Sequence, residues 1–179
     1  YHSHVHSIQD TNSGLVGPMV ITRKGMANPD ATPKDVDREF FSFFSVLNEN
    51  ESLFLDDMIA KLDAAPDEDD ADDFEESNLM HSINGYVYGN MPMPQMRVGE
   101  KVRWYVMTLG TEVDLHTPHW HGNTVLMNGH RKDVVELLPA TTLVADMVPD
   151  AAGIWMYHCH VNDHIAAGMT GRYEVLAAQ

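Results

Sequence analysis

The sequence of 179 residues holds a single cysteine, and only 11 Lys and Arg stand against 27 Asp and Glu. One cysteine excludes an internal disulfide, a Cys-rich zinc ribbon and a thioredoxin-type Cys-x-x-Cys pair. A formal charge of −16 lacks the basic footprint that nucleic acid or anionic lipid requires, so neither is an expected partner. No apolar run approaches the roughly 18 to 20 residues of a membrane span. The length corresponds to one domain of about 150 residues and a fraction of another. Such a chain buries about two-thirds of its unfolded surface and needs no disulfide staples. What is abundant is histidine and methionine, 11 and 12 residues. Beside the lone cysteine these are soft and borderline donors, and they point to metal.

The negative charge is concentrated. Residues 56 to 76 carry eleven carboxylates against Lys61, ten of the sixteen net charges. A block of like charge repels itself, so residues 63–76 are expected as an exposed acidic insertion. They lack the spaced carboxylates and glycine turn of a calcium loop. Either side, the patterns favour strands: 15–23, 39–47, 97–109, 113–125, 141–148, 154–158 and 169–176, separated by Gly, Pro, Asn or Asp. Ser52 to Leu62 is the one helix-like stretch. Many short strands with turn signals between them predict an all-β antiparallel sandwich. The polar, proline-bearing residues 25–35 read as a linker. Residues 1–24 are then the closing strands of a preceding domain, and 36–179 form the main one.

Nine of the eleven histidines fall in three clusters. The first is Tyr1-His2-Ser3-His4, with His6 nearby. The second is His116-Thr117-Pro118-His119-Trp120-His121-Gly122, and the third is His158-Cys159-His160 followed by His164 and Met169. On a strand, residues i and i+2 share a face. His158 and His160 then point to one side and Cys159 to the other, so one strand touches two metal sites. Cys159, His116, His164 and an axial Met169 make the two-His, one-Cys, one-Met set of a blue-copper centre. Six imidazoles remain: His2, His4, His119, His121, His158 and His160. They exceed what one tetrahedral zinc uses, and a multinuclear copper site accounts for them.

His-Cys-His-x3-His-x4-Met, His-x2-His-x-His-Gly and Tyr-His-Ser-His resemble three of the four copper-binding motifs of the multicopper oxidases. This family includes laccases, ceruloplasmin-like ferroxidases and two-domain bacterial laccases. Asp37-Arg38-Glu39-Phe40, Glu76-Ser77-Asn78 and Ile83-Asn84-Gly85-Tyr86 resemble the second cupredoxin domain of ceruloplasmin-type members. Ser13-Gly14-Leu15-Val16-Gly17-Pro18 resembles the end of the domain before it, and Trp155 to Val161 is similar to two-domain laccases. The resemblance implies a cupredoxin-like Greek-key sandwich preceded by the last strands of another cupredoxin domain. It implies that His116, Cys159, His164 and Met169 hold type 1 copper. His119 would hold type 2 copper, and His2, His4, His121, His158 and His160 would hold type 3. Two more histidines would come from a missing first domain or fragment.

The activity implied is one-electron oxidation of a reducing substrate at the type 1 copper, coupled to four-electron reduction of dioxygen to water at a trinuclear copper centre. Four coppers serve a complete subunit, and electrons leave through Cys159 to His158 and His160. Two-domain laccases further imply a homotrimer, and the family implies an extracytoplasmic protein, secreted or periplasmic. Phenols, Fe(II) and Cu(I) are all open as substrate. Asp163, between two ligands, is a candidate for proton delivery or electron entry. Met91, Met93 and Met96 are expected to pack against core, with a Cu(I)-handling patch as the alternative. His6, His81 and His130 are expected to be structural. The competing readings are a blue-copper electron carrier without oxidase activity and a structural sandwich that has lost its ligands.

Overall fold

A computed structural model describes residues 1–64 and 66–178. In chain order its strands are β1 (Arg38–Asn48), β2 (Leu79–Ile83), β3 (Gln95–Arg97), β4 (Val102–Thr108), β5 (Pro118–Trp120), β6 (Val125–Met127), β7 (His130–Lys132), β8 (Thr142–Met147), β9 (Gly153–Cys159) and β10 (Thr170–Leu176). They make two sheets, one ordered β2-β1-β4-β8-β6-β7 and the other β3-β10-β9-β5. Most pairs are antiparallel, but β1 runs parallel to β4 and β3 parallel to β10. The parallel pairs arise where the chain crosses between layers, since a hairpin joins only antiparallel neighbours. The all-β sandwich expected from the strand pattern is the fold observed.

Alternation along β4 shows how the layers meet. Val102, Trp104, Val106 and Thr108 are buried, while the residues between them are partly exposed. Trp104 reaches across to the second sheet, with ring centroids 5.8 Å from Trp120, 5.0 Å from Tyr157 and 6.0 Å from Tyr173. Aromatic pairs at 4.5–7 Å add roughly 0.5–1.5 kcal/mol each beyond the area they bury. Met91 and Met96 lie in this core, while Met93 is half-buried. The flexible thioether suits such irregular gaps.

Three expectations are corrected. Residues 15–23 form no named strand; the segment holds a single bridge, His2 to Val16. A strand needs a neighbour for its backbone groups; Leu15, Met19 and Ile21 are exposed, and Val20 to Arg23 pass near Arg103, Tyr105 and Val144 without joining the ladder of that sheet. The helix of this N-terminal region, α1 (Ser7–Asn12), lies ahead of that segment. The acidic insertion is exposed as expected, but it includes a helix, α3 (Ala71–Ser77). Its predecessor α2 (Leu55–Ile59) is only part of the helix expected over 52–62. The run 113–125 is broken in two because Gly122 adopts φ +70°. A Cβ there would run into the Trp155 ring, so the turn requires glycine.

Candidate metal centre

Two groups of side chains that could share a metal ion lie either side of β9. His116, Cys159 and His164 form the first; His119, His121 and His158 form the second. The last residues of β9 account for both. Cys159 and His158 are consecutive, so their side chains leave opposite faces of the strand. Pairing of β5 with β9 sets Pro118 opposite Cys159 and His119 opposite His158. His116, just ahead of β5, therefore sits beside Cys159, and His119 and His121 sit beside His158.

The first group is buried and closed. His116 is 1 % and Cys159 0 % exposed. Nδ1 of His116 and Nδ1 of His164 are 3.1 Å apart, and they lie 3.9 and 3.6 Å from Cys159 Sγ. His164 is placed by the helix α4 (Asn162–Ala166), one turn past the strand. Met169, buried, donates its N–H to the His164 carbonyl, and its own carbonyl accepts from the Cys159 N–H. Burial pushes the Cys159 thiol up, but the His116 and His164 rings beside it and the Thr117 N–H outweigh it and bring the group down to about 6. The thiolate, the form that binds metal, is therefore accessible near neutrality.

The second group is half-open. His158 is buried, His119 and His121 are half-buried and His160 is exposed. His121 Nε2 and His158 Nε2 are 2.9 Å apart. His158 Nδ1 lies 2.6 Å from the Cys159 carbonyl, which takes the Nδ1 proton and leaves Nε2 free toward His121. Burial and the neighbouring imidazoles hold both His119 and His158 below the ordinary imidazole value, opposed by Asp133 at His119 and by the Cys159 carbonyl at His158. Neutral rings with free lone pairs are the metal-binding form. His119 Nδ1 is buried without a hydrogen-bond partner. His160 stacks near His119 and His158, at 5.4 and 5.5 Å between centroids. Its N–H is held by Thr117. His2 and His4 face each other at 5.3 Å but belong to neither group among the described residues.

Two site-lining residues escaped the sequence reading. His81 was expected to be structural, yet its ring lies 5.2 Å from that of His164. Burial holds it below the ordinary imidazole value, opposed by the Leu79 carbonyl and by the carboxylates of Glu76 and Asp114. Only the topology brings it here: β2 is the edge strand, and His81 pairs with Val46. Asp114 is 1 % exposed and meets His116 Nε2 at 3.2 Å. Its signal was present as Asp-x-His, but a carboxylate two residues from an imidazole is common in loops. Asp163 is exposed in the first turn of α4, next to His164. His6 and His130 are exposed, with no donor group around them among the described residues.

The multicopper oxidase family model matches residues 62–179. The chain belongs to the multicopper oxidases. It is 44 % identical over 178 residues to human "Ferroxidase HEPHL1", covering 98 % of this chain and 15 % of that protein. It is 44 % identical over 177 residues to human ceruloplasmin, covering 98 % and 17 %, and 43 % identical to rat hephaestin over 179 residues, covering 98 % and 16 %. The chain thus spans about a sixth of the length of these relatives. Among solved structures it is similar to a multicopper oxidase from Campylobacter jejuni described as a metallo-oxidase, with TM-score 0.56 and 20 % identity over 82 % of this chain and 31 % of that one. A laccase from Pediococcus acidilactici gives TM-score 0.56 at 16 % identity, over 90 % and 31 %. These likenesses show the cupredoxin-like fold of this multicopper oxidase chain. Membership implies copper, and the donors fit it: a thiolate with two imidazoles and a nearby thioether is a soft set, and the second group is all imidazole.

Proposed function

We propose that this chain carries the electron-entry site and half of the dioxygen site of a multicopper oxidase whose substrate is a reduced metal ion, Fe(II) or Cu(I). The observation that carries the reading is the placement of Cys159. Its Sγ belongs to the buried group, while the next residue back, His158, belongs to the imidazole group. His116, Cys159 and His164, with Met169, would hold the type 1 copper. His119 would hold the type 2 copper, and His121, His158 and His160 the type 3 pair. Copper bound at these positions would supply the one-electron chemistry by which four Fe(II), one dioxygen and four protons become four Fe(III) and two waters.

The chain's own residues do the rest. Cys159 supplies a thiolate and the shortest covalent route from one donor set to the other, through a single peptide unit to His158. The Cys159 carbonyl accepts from His158 Nδ1 and so locks that ring along the route. The buried walls of the first group exclude water and bulky reductants from the thiolate, leaving the imidazole edge of His164 as the approach.

The lining of that approach favours a metal ion over a phenol. His81 covers His164, Asp163 adjoins it, and Glu76 is close enough to His81 to act on it electrostatically. An imidazole between carboxylates attracts a cation and offers an aromatic ring no apolar slot. The relatives named ferroxidases support the same choice. Because the second group is half-open, its remaining imidazoles come from elsewhere. Relatives about six times longer point to further domains of one polypeptide rather than to a homotrimer, with His2 and His4 serving a group outside this sandwich. An extracytoplasmic location belongs to this reading; no described helix is long and apolar enough to cross a membrane.

The test is substrate competition in the copper-loaded full polypeptide. Fe(II) should be oxidised with one dioxygen consumed per four Fe(II), and a dimethoxyphenol at least about tenfold more slowly. His81→Ala should raise KM for Fe(II) and leave phenol turnover unchanged. Preference for the phenol, or an Fe(II) KM indifferent to His81, would overturn the metal-ion reading.

A further inference from the structure

Asp114 is a buried carboxylate that the proposed electron route does not use. It is 1 % exposed, and no Lys or Arg forms an ion pair with it among the described residues. Its neighbours are instead polar N–H groups from three places. Oδ1 accepts the Val46 N–H of β1 at 2.8 Å and lies 3.2 Å from His116 Nε2; Oδ2 accepts the Thr111 N–H at 3.0 Å. A buried charge without a cation is costly unless every lone pair is engaged, and here the engagement is nearly complete. The space around it is also closed. At Gly110, whose φ is +120°, any Cβ would overlap Asp114 Oδ2.

The ring of His116 is thus held at both ends. Nδ1 points to His164 and Cys159, and Nε2 points to Asp114. An imidazole whose Nε2 proton is given to a carboxylate is fixed in the tautomer that leaves Nδ1 free. We propose that Asp114 is the positioning residue of the buried donor set: it orients His116, fixes its Nε2–H tautomer and makes Nδ1 a stronger donor. The inference rests on the reading of His116 as a copper ligand only for its effect on the metal; the hydrogen bond itself belongs to this chain. Stronger donation from His116 favours Cu(II) over Cu(I), so Asp114 lowers the type 1 reduction potential. Val46 and Thr111 bind the same carboxylate, so the orientation of His116 is tied to β1 as well as to its own loop.

Two measurements test this, and they fail independently. In the metal-free wild-type chain above pH 8, long-range ¹⁵N–¹H spectra should find the His116 proton on Nε2; a proton on Nδ1 would overturn the proposal whether or not copper binds. In the copper-loaded protein, Asp114→Asn should raise the type 1 potential and weaken Cu(II) binding by on the order of ten- to a hundredfold, the usual cost of losing a ligand's outer partner. The visible and EPR signatures should shift with it, and Asp114→Glu should restore them in part. A folded Asp114→Asn protein with unchanged potential and Cu(II) affinity would overturn the proposal. A wild-type protein that never turns blue would instead sink the copper reading of His116, and the tautomer would still decide Asp114.

Discussion

The two donor groups are built from neighbouring residues yet live in different surroundings. His116, Cys159 and His164 are sealed within the sandwich, with the thiol drawn down to about 6 and one imidazole backed by Asp114. His119, His121, His158 and His160 fan out over the end of β9 and β5, and His160 is exposed. A closed site keeps its geometry while it changes oxidation state, which suits moving electrons. An open one leaves room for a diatomic ligand and for further imidazoles. The division is enforced by one strand: adjacent residues on β9 face opposite ways, so neither site can shift without the other.

The largest expected effect comes from breaking the link itself. Cys159→Ser should abolish the intense visible absorption and lower substrate oxidation by more than about a hundredfold, exceeding the cost of an outer-shell change. Copper at the imidazole group should stay, as metal analysis would verify. Replacing His119 and His121 by Ala should do the converse: the blue absorption persists and one electron is still accepted in a single turnover, while dioxygen uptake stops. Because these rings are half-exposed, the melting temperature should hardly move. If the double variant also lost its blue colour, the two groups would not be separable.

Gly122→Ala probes the turn that follows His121. It combines a left-handed φ with overlap on Trp155, so it should destabilise by about 1–3 kcal/mol. It should also perturb the imidazole group, which includes His121, more than the buried one; denaturant titration and copper counting would show the split. The smallest effect is expected far from both sites. Arg103 pairs with Asp146 across β4–β8 and with Asp35, but these carboxylates are close to half-exposed. Asp35→Asn should leave the melting temperature nearly unmoved and both donor groups unchanged.

The sandwich and its two clusters of donor side chains were legible for a local reason. Strand alternation and His-x-His spacing are properties of a few consecutive residues, and they survive any topology. Val102-Arg103-Trp104 already shows its buried face, and His158-Cys159-His160 already shows its two-sidedness. His81 and Asp114 were not legible in their roles, because those depend on which strands become neighbours. His81 reaches His164 only because β2 joins the edge of β1. Residues 15–23 misled for the opposite reason. Their β-branched pattern is real, but a strand exists only where a partner accepts its backbone bonds, and beyond the bridge at Val16 these residues join no sheet ladder. The acidic segment mixed both cases: charge placed it in solvent, while its short helix α3 is carried by residues 71–77, whose local signal the charge run obscured.

The central claim is that Cys159 separates and joins two copper sites. Anomalous diffraction at the copper edge from copper-loaded crystals tests it most directly. The account predicts one copper peak among His116, Cys159 and His164, and separate copper density among His119, His121 and His158 on the opposite face of β9. A single shared peak, or copper at the imidazoles with Cys159 unligated, would contradict it.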